Sequence, residues 1–105
     1  MCTTFLSDES YYSHGCWKDT TDRAIDGEVG RLGGGRGTVF GCYEKAKSLG
    51  YTIFALQDGG KCYTTATAQD TYWKHGRGTG CSDVGSAWLN SVYEIVLGKS
   101  LLPSN

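Results

Sequence analysis

The chain has 105 residues, of which 39% are hydrophobic and 20% charged, and its formal net charge is -1. These values describe one folded domain with a modest core and exclude a disordered polymer. They also exclude a basic surface that would gather nucleic acid. No apolar run is long enough to cross a bilayer, so membrane insertion is not expected.

Residues 1–9 are expected to be a loosely held arm, with one domain over 10–98 and a tail over 99–105. Tyr11–Trp17 is aromatic and short and reads as a first strand, ended by the polar run Lys18–Asp22. Arg23-Ala24-Ile25 reads as a second short extended piece. Residues 26–37 read as a glycine-rich loop. Its Gly33-Gly34-Gly35-Arg36-Gly37 core lacks the lysine that a phosphate-binding P-loop needs, so no nucleotide cofactor is expected.

A helix is predicted over 38–49. Thr38 is a suitable N-cap, and Val39, Cys42, Tyr43, Ala46 and Leu49 recur on one helical face. Gly50 suits the left-handed position that ends a helix. Tyr51–Gln57 is the longest run of strand-forming residues and is expected to be the central strand of a small antiparallel sheet. Asp58-Gly59-Gly60 then reverses the chain, and Lys61–Thr64 returns as the hairpin partner. A short second helix is predicted over about 67–75, capped by Thr65 or Thr67 and stopped by Gly76. Residues 76–87 read as a loop, and Val92–Leu97 as the last strand.

Five cysteines in so short a chain point to an oxidising, extracellular setting. The first residues show no basic segment followed by an apolar run, so that expectation rests on the cysteines. No CxxC pair occurs, which argues against zinc. Cys42 on the inner helix face and Cys62 on the adjacent strand form a reasonable pair, which leaves Cys16 for Cys81. The sequence itself leaves other connectivities open. Cys2 remains over, either as a terminal thiol or as a bridge in a homodimer.

Gly15-Cys16-Trp17-Lys18-Asp19, Arg23-Ala24, the helix bearing Cys42, Gly50-Tyr51, Phe54–Gln57, Gly60-Lys61-Cys62, Cys81 and Val92-Tyr93 occur in an order that resembles the WSC domain. The likeness is greatest to a WSC-like cysteine-rich module of secreted proteins of marine invertebrates, and it covers about residues 11–97. WSC domains carry further cysteines, one of them soon after the position of Cys62, where this chain has Tyr63-Thr64. The resemblance implies an α+β fold with a PAN/apple-like sheet packed on a helix. It also implies secretion and carbohydrate binding.

A sugar site needs a flat aromatic face and planar polar groups for the hydroxyls. Three clusters offer these. One is Trp73-Lys74-His75 with Arg77, where an aromatic stands beside donors, and Tyr72 precedes it. The second is the hairpin tip, Gln57, Asp58 and Lys61, next to glycines that admit a ligand to the backbone. The third is Asp19, Asp22 and Arg23. Each has a plainer reading: core packing for Trp73, turn formation for Asp58 and a structural ion pair for Asp19 and Arg23. Trp17 and Trp88 read as core. The acidic run Asp19, Asp22, Asp26 and Glu28 departs from the EF-hand pattern and reads as a solvated loop, so no metal is expected. With interior cysteines oxidised, His14 and His75 lack a nucleophile. The expected function is therefore a non-catalytic lectin that binds glycans or glycoproteins. The alternatives are an extracellular protein-adhesion module and a small glycoside hydrolase.

Overall fold

A computed structural model describes residues 10–31 and 37–96. Five strands form one antiparallel sheet: β1 (Ser10–Lys18), β2 (Glu28–Arg31), β3 (Ile53–Gln57), β4 (Lys61–Thr64) and β5 (Leu89–Val96). Their spatial order is β1-β5-β3-β4-β2. One helix, α1 (Gly37–Leu49), packs on the sheet. This is a disulfide-stapled α+β fold.

The Ile53–Gln57 run is central, as its composition predicts, and every residue in it is buried. Side chains alternate across a strand, so β3 feeds two cores. Phe54 and Leu56 face α1 and join Cys42, Tyr43, Ala46, Cys62, Tyr93 and Ile95. Ile53 and Ala55 face the other way and join Ile25, Tyr63, Ala68 and Val92, with Trp17 and Tyr72 against them. The hairpin is antiparallel, pairing Leu56 with Cys62 and Gln57 with Lys61. Asp58, Gly59 and Gly60 all have positive φ, which is how so short a reversal is made.

Both expected disulfides are present. Cys42–Cys62 ties the helix to β4 with Cα atoms 5.5 Å apart, and Cys16–Cys81 ties β1 to the late loop at 5.7 Å. Gly50 has φ 81°, and its N–H closes the helix on the Lys47 carbonyl.

Several expectations need correction. The central strand starts at Ile53 and not at Tyr51, whose N–H is taken by the Ala46 carbonyl at the end of the helix. The helix starts at Gly37, so Thr38 lies inside its first turn and not at the cap. Leu49, assigned to the apolar face, is exposed at the last residue of α1. The Arg23–Ile25 piece is not a strand; the second strand is β2, inside the stretch read as loop, where Gly30 takes up a register shift against β4. The second helix is only a 3-10 turn, Ala68–Asp70, followed by turns to His75, and Thr67 makes no side-chain cap. Its sequence carries β-branched Thr67 and Thr71 and lacks a sustained apolar stripe. β5 begins at Leu89, earlier than hydropathy suggests, because its first part carries the buried polar pair Asn90 and Ser91.

The expected arm, Cys2, the triglycine core, Leu97 and the tail lie outside the described residues. Among the described residues no helix is long and apolar enough to cross a membrane.

Candidate functional site

The face of the sheet opposite α1 is covered by the segments 19–26 and 65–75, which have little regular structure. Turns leave polar groups to be satisfied by side chains, and Asp19, directly after β1, does this. Its Oδ1 accepts the Ala24 N–H at 2.9 Å. Its Oδ2 accepts from Arg23 Nη1 and Gln57 Nε2, both at 2.7 Å. Gln57 Nε2 also donates to Asn90 Oδ1 at 2.9 Å, and Gln57 Oε1 accepts from Arg23 Nη1 at 3.2 Å. Gln57 and Asn90 are register partners on β3 and β5.

The Asp19 carboxylate is buried, and burial alone would push its pKa up. Hydrogen bonds from the Ala24 N–H, Arg23, Gln57 and the Thr20 N–H outweigh that and hold it below its ordinary value. The Arg23 guanidinium, charge-paired with Asp19, lies 4.9 Å from the Trp88 ring centroid and 5.5 Å from that of Tyr63. Among the described residues the buried Tyr63 hydroxyl has no hydrogen-bond partner.

Beside this network opens a shallow pocket of about 330 Å³. Thr21, Asp22, Arg23, Ala24 and Asp26 form one wall, and Thr65, Thr67, Thr71 and Lys74 the other. The walls are joined by Lys74 Nζ and Asp22 Oδ1 at 3.2 Å, and by His75 Nε2 and the Asp22 carbonyl oxygen at 2.6 Å. A carbonyl only accepts, so this contact places a proton on His75 Nε2. The Asp26 carboxylate has no ion pair or hydrogen bond among the described residues, and it faces water.

The three predicted clusters are thus rearranged. Asp22, Lys74 and His75 come together at the pocket, joining the third cluster to the first. Gln57 leaves the hairpin tip and joins Asp19 and Arg23 in the buried network. Asp58 pairs with Arg31 at 3.0 Å on the surface, and neither Asp58 nor Lys61 lines the pocket. Tyr72 packs edge-on against Trp17 in the second core. Trp73, next in the chain to Lys74, is half exposed. Arg77 stacks on Trp17 at 4.6 Å. Trp17 is partly buried, as expected, but Trp88 is not core: it is 48% exposed.

Sequence reasoning missed the threonine wall, although Thr64-Thr65-Ala66-Thr67 and Thr71 are dense in hydroxyls. It missed Asn90, a polar residue within an apolar run, which is the usual mark of a buried network. It also missed a surface group on β1 and β5. There the Tyr12 hydroxyl donates to Glu94 Oε1 at 3.0 Å, and His14 Nε2 approaches the same oxygen at 2.6 Å. Among the described residues no group of three or more His, Cys, Asp and Glu is placed to hold a metal ion.

No protein-family model matches this chain, and no curated protein matches it.

Proposed function

We propose that this protein is a carbohydrate-binding module, a non-catalytic lectin, and that its site is the pocket between residues 21–26 and 65–74. The observation that carries this reading is the pocket lining: four threonines, two aspartates, an arginine and a lysine in one shallow recess. A sugar presents hydroxyls that both donate and accept, so a site for it needs donors and acceptors side by side. Threonine hydroxyls supply both, Asp26 supplies an uncommitted acceptor, and Lys74 supplies a donor. Trp73, next in the chain to Lys74, is a half-exposed aromatic.

Two disulfides support an extracellular location, where such bonds persist. A helix packed on a small antiparallel sheet supports the PAN/apple-like fold that the WSC-like resemblance implies. A shallow single site binds weakly, so useful avidity would come from several copies acting together.

The test is a glycan array with the labelled protein, run with and without a calcium chelator. Binding to structures sharing one terminal sugar is expected, together with loss of signal in Asp26→Asn and Thr71→Val. A blank array, with a protein partner that free monosaccharide does not displace, would replace this reading with the adhesion-module alternative.

A further inference from the structure

Trp88 occupies a backbone position that its side chain does not favour. Ser86 and Leu89 exchange both backbone hydrogen bonds, at 3.1 and 3.0 Å, so Ala87 and Trp88 form a two-residue reversal leading into β5. Trp88 has φ 58°, in the left-handed region that glycine enters freely and a bulky aromatic enters only with strain. Burial does not account for the indole either, since the residue is 48% exposed. Its Nε1 has no hydrogen bond among the described residues.

The indole is nevertheless held in place. The Trp88 carbonyl accepts the Asp19 N–H at 3.0 Å. The Arg23 guanidinium lies over the ring, 4.9 Å from its centroid. Arg23 is in turn fixed by the buried Asp19 and Gln57, and it also lines the polar pocket. A strained, half-exposed aromatic on a rigid polar support is the combination found where ligands are gripped.

We propose that Trp88 is the stacking platform of the site. Its open indole surface takes the C–H face of a pyranose, and the sugar's hydroxyls reach the Arg23 side of the pocket. This inference rests on the carbohydrate-binding reading and adds the residue that selects pyranosides with one continuous apolar face.

The experiment compares wild type, Trp88→Gly and Trp88→Phe on immobilised glucose, galactose, mannose, fucose and N-acetylhexosamine glycosides. Thermal melting and tryptophan emission are recorded alongside. Trp88→Gly should melt within about 4 °C of wild type, because relief of the backbone strain offsets the lost Arg23 stacking. Its binding should fall about tenfold or more. Trp88→Phe should keep most of the binding, and the emission change that the glycoside produces in wild type should be lost in it. If wild type binds and Trp88→Gly binds equally well, the inference falls while the carbohydrate reading stands. An emission change undiminished in Trp88→Phe overturns it in the same way, even if the glycine variant does not fold. If wild type binds none of the glycosides, both fall.

Discussion

The two faces of the sheet are closed in different ways. On one face a regular helix meets Phe54 and Leu56, and the result is continuous apolar packing. Tyr11, Tyr43 and Tyr93 all lie near Phe54 or one another, with the Phe54 and Tyr93 rings stacked at 5.3 Å. On the other face, turns and a single 3-10 turn cover Ile53, Ala55 and Val92. They fit less regularly, so they leave a recess and need the Asp19–Arg23–Gln57–Asn90 network to satisfy their polar groups. The late loop lies against the end of β3, where a Cβ on Gly85 would run into the Leu56 carbonyl, so glycine is needed there. The difference teaches that a face closed by a helix packs continuously, while a face closed by turns keeps a recess, which we propose as the ligand site.

That contrast can be broken most forcefully at Phe54, which is fully buried. Phe54→Ala should cost about 4 kcal/mol, read by denaturant unfolding, and should lose fold and glycan binding together. Replacing Cys42 and Cys62 with alanine opens a loop with a separation of 20 residues. Chemical denaturation should show a loss of about 3 kcal/mol.

The opposite face should respond differently. Asp19→Asn should cost about 2 kcal/mol and weaken binding while the helical signal in circular dichroism persists. It should also change the acid limb. Asp19 titrates below its ordinary 3.8 in the folded protein, so its contribution is present above that pH and is lost as pH falls through the lowered value. Stability measured from pH 5 downward should therefore fall less steeply in Asp19→Asn. A matching slope in the two proteins would show that the carboxylate does not anchor this face.

Smaller effects sharpen the comparison. Tyr63→Phe removes a buried hydroxyl that has no partner among the described residues, so it should leave stability unchanged or raise it by about 1 kcal/mol. Tyr93 gives the alkaline counterpart. Burial first, then Asp83 and Tyr11, push its hydroxyl up to about 12. Its stabilising contribution is complete below pH 10 and disappears as pH approaches that value. Ultraviolet titration should show Tyr93 among the late-ionising tyrosines, with Tyr12 and Tyr63 also raised, and Tyr93→Phe should remove one late step.

The face closed by the helix was legible in the sequence. The apolar spacing of Val39, Cys42, Tyr43 and Ala46, the stop at Gly50 and the turn at Asp58-Gly59-Gly60 are local signals, and they located α1, β3, β4 and the Cys42–Cys62 pair, which left Cys16 for Cys81. The other face was not legible, because its order is set by partners distant in sequence. On the helix side β2 was missed for the same reason: Val29, which packs on the helix-side core, and Gly30 become a strand only beside β4. Thr67 and Thr71 belong to a wall only because Lys74 reaches Asp22. Gln57, read as a residue of the hairpin tip, is drawn into the interior by Asp19 and Asn90. Trp88 reads as core from its residue type, and only its φ and exposure reveal its display.

The central claim is that the loop-closed face binds a saccharide while the helix-closed face is scaffold. The most direct measurement is a two-dimensional amide NMR titration of the labelled protein with the glycan that the array selects. Shift changes confined to Thr21–Asp26, Thr65–Lys74 and the Trp88 turn, with α1 unmoved, are the predicted result. Changes centred on α1 or β2, or none at saturating glycan, would contradict the account.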